Sequence, residues 1–493
     1  MTTDTVNIGP ALASRPKPNY LKCVAAAALV AEADFLFYGH PPGISILIFA
    51  LTLATISMVT NPVIANRRTM AIAPFVLIVS LIPIIEDCNL LSELFAALGV
   101  ATFALMMTTE LTGSLRLRAR RATHLLAAGP GQVVQSLAGI QAPTHAKGEI
   151  TSRVSALVVW VVPLTLSGVF LWLFVAANPV METLVAQLDL RDLLAQISIP
   201  RVLFWLTVSS LTWSFVAMRP RAAKMRPAAA TSTAKPANAL FGDGAILRSL
   251  ILFNGLFALQ TAMDIGFLWG GFALPNGMTY AAYAHRGAYP LMVTALLAGG
   301  FVIAAMQPGS TAAQSRLMRM LVLVWIAQNV MLVISSILRL DLYIAVYSLT
   351  MWRIAAFIWM GLVAAGLVWL IVRVAMNWSN GWLVDMNLAT AMLVLYACCF
   401  VNFPRVIAEY NVTNGRVAIE CPVFDKYYIQ SLGPEVIPIM DELKSRRGGR
   451  CLLESDLYSR AKLSASHNSL MSDWRAWSFR GWRLEQYLTA NAG

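Results

Sequence analysis

Apolar runs of roughly 17–25 residues recur along the chain, each long enough as a helix to cross a hydrocarbon core of about 30 Å. Prolines, glycines and charges collect in the short stretches between them. Taking each run as one helix predicts spans over 21–38, 43–61, 70–86, 92–113, 153–177 and 201–218, then 247–272, 289–306, 320–338, 343–372 and 382–403. The expected fold class is all-α, a polytopic transmembrane helix bundle of about 11 helices with a small, mainly helical C-terminal segment. Between 181 and 199 leucines alternate with Glu182, Asp189, Arg191 and Asp192, the pattern of an amphipathic helix lying at the interface. The stretch RPRAAKMRPAAATSTAKPAN after the sixth span is too polar to fold alone. The domain order that follows is a polar tail at 1–20, a first group of spans at 21–218 and a basic Pro/Ala-rich linker at 219–246. A second membrane core at 247–404, with an outer loop at 273–289, precedes a polar segment at 405–493.

Composition sharpens the class. Hydrophobic residues make up 58% of the chain and charged residues only 13%, against about 25% charged in a soluble domain. The 37 basic residues outnumber the 25 acidic ones, yet they cluster between spans. That is the positive-inside bias and needs no nucleic acid partner. With the N-terminus inside, the inner loops hold Arg15, Lys17, Lys22, Arg67, Arg68, the cluster from Arg116 to Arg121 and Arg373, among others. The outer loops hold only Arg191, Arg201, Arg286 and Arg339. The expected topology is multi-pass, with the N-terminus on the inner side and the C-terminal segment on the outer side. Residues 1–19 are polar, which predicts no cleavable signal peptide. None of the six cysteines falls in a CxxC spacing, so neither a metal nor another cofactor is expected. A Cys421–Cys451 disulfide is compatible with that topology.

Candidate chemistry lies in polar residues at membrane depth, where a charge needs a partner or a task. Asn254, Thr261 and Asp264 share one face of the seventh span, and Trp325, Gln328, Ser335 and Arg339 share one face of the ninth. Tyr343, Tyr347, Thr350 and Arg353 are spaced as a stripe on the tenth. A loop with Gly270-Gly271, Pro275-Asn276-Gly277, Tyr280, Tyr283, His285 and Arg286 interrupts the apolar pattern beside them. The candidate polar site is therefore Asp264, Arg353, Arg339, Gln328, Tyr280, His285 and Arg286, suited to an ion, a small solute or a lipid head group. The competing explanation is an Asp264–Arg353 or Asp264–Arg339 ion pair that only locks helix packing. Elsewhere, Glu32 lies nearer mid-membrane than Asp34, and Cys398-Cys399 suit buried small residues better than redox groups. No GxxxxGK[ST] phosphate loop, HExxH helix or GxSxG elbow occurs, so no catalytic residue is assigned and an enzyme is not the expected class.

The strings YAAYAHRGAYPL, LRLDLYIAVYSLTMWR and IAEYNV resemble a bacterial multi-pass family, domain of unknown function 4173, over about 245–412. The resemblance implies an inner-membrane protein and carries no activity, substrate or cofactor.

In the C-terminal segment, Gly433-Pro434-Glu435 opens a short helix ending near Arg446. The run SDWRAWSFRGWRLEQYL, after an N-cap at Ser472 or Asp473, suits either the membrane surface or packing on neighbouring short helices. Three function classes fit. The first is a non-catalytic sensor or a subunit that presents the outer loop and tail to a protein partner. The second is a secondary transporter with an outward-facing site around Asp264 and Arg353. The third, ranked lowest, is a transferase acting on lipid-linked substrates with His285 or Asp264 as general base.

Overall fold

In the computed structural model the described residues are 20–109, 113–129, 198–218, 243–266, 314–414, 416–418, 421–423, 425–446 and 454–491, with positions 132, 167, 293–294, 297 and 299–302. They are almost entirely helical, apart from a three-residue antiparallel ribbon, β1 Arg416–Ala418 with β2 Cys421–Val423. Seven helices are long and apolar enough to cross a membrane, and the chain is a membrane protein. These are α3 Arg67–Glu86, α4 Leu90–Thr108, α6 Ile199–Val216, α7 Asp243–Asp264, α8 Arg316–Tyr347, α9 Met351–Met376 and α10 Asn380–Cys398. Preceding them are α1 Tyr20–Phe37 and the shorter apolar α2 Ile44–Thr60. The predicted runs 153–177 and 181–199, and most of 289–306, lie outside the described residues, so the count of about 11 is not reached among those described.

Two compact units divide the chain. The first comprises Met1–Ser80, Ala96–Leu111 and Arg121–Pro220, the second Leu81–Phe95, Thr112–Arg120 and Arg221–Gly493. In the first, α1 packs on α2 and α6, and α6 packs on α2. Asn61 ties two helix ends together. Its amide donates to the Ser57 carbonyl at 2.8 Å and the Phe215 carbonyl at 2.7 Å, and its Oδ1 accepts from the Met218 N–H at 3.0 Å. Between α3 and α4 of this unit, a Cβ at Gly99 would lie 1.7 Å from the Ser80 hydroxyl. Only glycine permits that approach, the small-residue contact expected where lipid gives helices no hydrophobic drive to associate.

In the second unit, α7 packs on α8, α8 on α9 and α9 on α10. Leu250, Val322, Trp325, Ile326, Met360 and Leu370 form its buried core. Trp325 stacks on Phe253 at 5.0 Å and meets Phe257 and Phe301 edge-on at 5.6 Å.

Two boundaries differ from the sequence pattern. The 114–152 loop begins with a helix, α5 Leu115–Ala127, because LRLRARRATHLLA buries Ala122 and Leu125 three residues apart with arginines on the remaining faces. The predicted break at 339–342 is absent. α8 runs unbroken to Tyr347, and the chain turns only at Ser348, with φ 67°, before α9 starts at Met351. Nothing in ILRLDLYIAVY breaks a helix, since glycine and proline are missing. The polar Arg339 and Asp341 mimic a loop but sit within the helix.

After α10, the chain forms α11 Phe403–Asn414, α12 Lys426–Ser431, a 3-10 turn Pro434–Val436, α13 Ile437–Arg446 and α14 Glu454–Met471. A second 3-10 turn, Trp474–Ala476, leads to α15 Phe479–Ala490. Their small core contains Ala408, Ile429, Val436, Ile437, Ile439 and Leu484.

Candidate functional site

Two polar constructions stand out in the second unit, one at membrane depth and one at the helix ends. The first is a seam between α7 and α8. Asn254 donates to the Leu250 carbonyl at 2.8 Å and to the Leu321 carbonyl at 3.1 Å, and Gln328 donates to the Asn254 carbonyl at 3.3 Å. About 15 Å further along α7, Asp264 forms an ion pair with Arg339 and accepts from the Gln260 amide at 2.9 Å. The side chains of Arg339 and Asp264 are only 4% and 2% exposed. Gln260 and Asp264 are four residues apart on the last turns of α7, so helical spacing alone brings them together.

The partner predicted for Asp264 is thus resolved as Arg339. Arg353 does not join it. Because α8 continues to Tyr347, the Tyr343–Arg353 stripe is divided between two helices and a turn. Arg353, in the first turn of α9, folds back onto the end of α8. It donates to the Tyr347 carbonyl at 2.7 Å and to the Ser348 carbonyl, with its guanidinium 4.6 Å from the centre of the Tyr343 ring. It satisfies carbonyls that a helix end leaves without intrahelical partners. Gln328 lies on the seam; Tyr280, His285 and Arg286 lie outside the described residues.

The second construction holds the C-terminal helices against the ends of the spans. Asn411, buried on α11, clasps Leu349 on both sides, its Oδ1 accepting from the Leu349 N–H at 2.6 Å and its amide donating to the Leu349 carbonyl at 2.9 Å. The Tyr428 hydroxyl accepts from the Met351 N–H at 2.8 Å, supplying an acceptor that the Thr350 cap side chain does not. On α15, Arg480 is buried and reaches three acceptors: Asp87 at 3.1 Å, the Cys399 carbonyl at 3.3 Å and Glu86 at 3.4 Å. Arg483 adds a second ion pair to Glu86. The α3–α4 turn, the α8–α9 turn and the end of α10 therefore carry one platform. Burial raises the Glu435 carboxyl above its usual range, and nearby Asp87 adds to the shift. Cys88, half-buried beside Glu93 and Asp87, has its thiol pushed up to about 12.

The run ending in SDWRAWSFRGWRLEQYL packs on its neighbouring helices through Arg480, Leu484 and Leu488. Asp473 caps the 3-10 turn, and Ser478 caps α15. Neither Asn411 nor Arg480 is distinguished by the sequence pattern around it. The spacing of Arg480 and Arg483 on one helical face, against the adjacent acids Glu86 and Asp87, was the available signal. Glu32 is half-buried, whereas Asp34 carries the built contacts of the first unit. It pairs with Arg201, whose Nε lies at 2.8 Å, and accepts from the Trp205 indole at 2.8 Å. Among the described residues no group of three or more His, Cys, Asp or Glu is placed to hold a metal ion.

The family model described as domain of unknown function DUF4153 matches residues 24–443. The chain belongs to that family. This corrects the resemblance to domain of unknown function 4173, which rested on short strings within about 245–412, whereas the family match covers residues 24–443. No curated protein and no solved structure matches the chain.

Proposed function

We propose that this member of the DUF4153 family is a bacterial inner-membrane protein without catalytic activity that presents its 405–493 segment, at the periplasmic face, to a protein partner. The supporting observation is the platform. Asn411 and Tyr428 fasten the segment to the α8–α9 turn, and Arg480 fastens it to Glu86, Asp87 and the Cys399 carbonyl. Side chains committed to holding a polar segment against helix ends suit display better than turnover. The excess of basic residues in the opposite loops supports the outer side for the platform. In this reading 219–246 is a linker between two groups of spans.

In-cell photo-crosslinking tests the proposal. A photoreactive residue at Tyr427, 86% exposed, is expected to give a discrete protein adduct, while one at Leu393, on a span, gives lipid adducts only. Lipid adducts alone at both positions would remove the proposal. Labelling of Ser472→Cys in spheroplasts by an impermeant thiol reagent reports the side; protection there places the segment inside.

A transporter is the second reading, favoured by the Asp264–Arg339 pair at membrane depth. It requires uptake by purified protein in liposomes that fails in Asp264→Asn at unchanged protein level. The transferase reading rests on His285 or Asp264 as general base; His285 lies outside the described residues, and Asp264 is engaged by Arg339 and Gln260.

A further inference from the structure

A cleft of about 500 Å³ opens between the outer ends of α8, α9 and α10 and the neighbouring α11. Its walls are apolar, with Ile344, Leu349, Phe357, Cys398 and Val406 among them, and Asp341 supplies its single charge. The volume falls within the range of small-molecule sites, about 300–1,000 Å³, and suits one hydrocarbon chain. α8 has 32 residues, hence a length of roughly 48 Å. It overshoots a hydrocarbon core of about 30 Å by about 9 Å at each end if centred. Asp341 lies six residues before the end of α8, about 9 Å in, at the boundary between hydrocarbon and head groups. It is exposed and, among the described residues, has no ion-pair or hydrogen-bond partner. At that boundary a carboxylate costs far less than at mid-membrane and stands level with the ammonium of an amine head group. On α11, exposed Arg405 stands between Phe403 and Val406, both of which line the cleft.

From this arrangement we propose that the cleft binds one phospholipid with an amine head group, its acyl chain between α9, α10 and α11, its ammonium on Asp341 and its phosphate toward Arg405. An acidic head group without an amine would place a second negative charge beside Asp341. A zwitterionic amine lipid matches both charges, so charge complementarity selects this occupant. The inference does not rest on the presenting role, although Arg405, Val406 and Tyr410 belong to the segment given that role; labelling at Cys398 reads the cleft, whereas adducts at Tyr427 read the presented face.

Cys398 lines the cleft and has a free, half-buried thiol, which makes it a native reporter. The full-length protein would be placed in nanodiscs of phosphatidylethanolamine with phosphatidylglycerol, or of phosphatidylglycerol alone. A lipid-soluble maleimide is then applied and labelling quantified by peptide mapping. Labelling of Cys398 is expected to be about fivefold slower with the amine lipid, the range of a single half-solvated ion pair. Asp341→Asn is expected to abolish the contrast, and native mass spectrometry to find one retained phosphatidylethanolamine in wild type but not in Ala397→Trp, which fills the cleft. Equal labelling in the two compositions, or a contrast that survives Asp341→Asn, would overturn the proposal. Asp341 is exposed, so that variant remains informative even if Ala397→Trp does not fold.

Discussion

Two aspartate–arginine pairs on membrane helices, one in each unit, show how surroundings change the meaning of the same chemistry. Asp34 and Arg201 meet where helix ends approach water. Arg201 is 46% exposed, stacks near Tyr38 and Trp205, and shares Asp34 with the Trp205 indole. Asp264 and Arg339 are almost sealed from solvent and sit between two spans. In the first, water screens the attraction and solvates either partner when the other is lost. In the second, each buried charge leans on the other, and Asp264 on the Gln260 amide as well. The deep pair therefore fixes how α7 and α8 meet, while the shallow one trims an interface that tryptophan and tyrosine rings already shape.

The largest effect is expected from splitting the deep pair. Asp264→Ala removes the carboxylate that Arg339 meets between α7 and α8 and should destabilise the solubilised protein by about 3–5 kcal/mol, seen as a large drop in melting temperature. Asp264→Leu with Arg339→Met removes both charges and should recover most of that loss. Failure of the double variant to recover would mean that the pair is more than a lock between helices, which would strengthen the transporter reading.

Arg480→Ala comes next, because it leaves Asp87 partly buried beside Glu435 without its cation and Glu86 with Arg483 alone. The expected result is release of α15 from the α3–α4 turn, measured as faster limited proteolysis after α14, with α7–α10 still folded. Asn411→Ala leaves the Leu349 N–H and carbonyl buried without partners, at a cost of about 1–3 kcal/mol. Loosening should be confined to the α8–α9 turn and read by hydrogen exchange at Leu349 and Met351.

The C-terminal helices carry a pH dependence of their own. His467 is buried, and desolvation lowers its pKa below the usual histidine value despite the nearby Glu485 carboxylate. The unfolded segment therefore binds more protons than the folded one near and below pH 6.5, so this contribution is intact above that value and is lost as pH falls. Glu435 acts in the opposite sense at lower pH, since its raised pKa means the folded form holds a proton that the unfolded form has released. Comparing wild type with His467→Asn isolates the histidine. Between pH 7.5 and 5.5 the wild-type segment should lose more protection from exchange than the variant, and an equal loss would exclude His467 as the cause.

The legibility of these features in sequence follows from their range. Span positions are local, since twenty apolar residues announce a membrane helix, and α2, α3, α4 and α6 lie within a few residues of the apolar runs. The Gln260–Asp264 contact is local too. Asp264 as a residue in need of a partner was legible, but which arginine met it depended on a boundary. Polar Arg339 and Asp341 resembled a loop, and the actual turn contains only Ser348, Leu349 and Thr350, whose backbone groups are met by Asn411 and Tyr428 from 62 and 77 residues away. A turn stabilised by distant side chains leaves little local trace. Arg480 is similar, since its acids lie nearly 400 residues back.

The smallest expected effect closes the comparison from the shallow side. Asp34→Asn keeps an acceptor for the Trp205 indole and removes only the charge, which water already screens at Arg201. Its melting temperature should move far less than that of Asp264→Asn, and the residual shift should shrink further as salt is raised, because exposed pairs weaken over a Debye length of about 10 Å at 0.1 M. The deep pair should show no such salt dependence, since ions do not enter the α7–α8 seam. If Asp34→Asn instead matched Asp264→Asn and ignored salt, the Asp34 site would have to be shielded from water in the membrane. The contrast between the two pairs would then reflect their partners rather than their solvent.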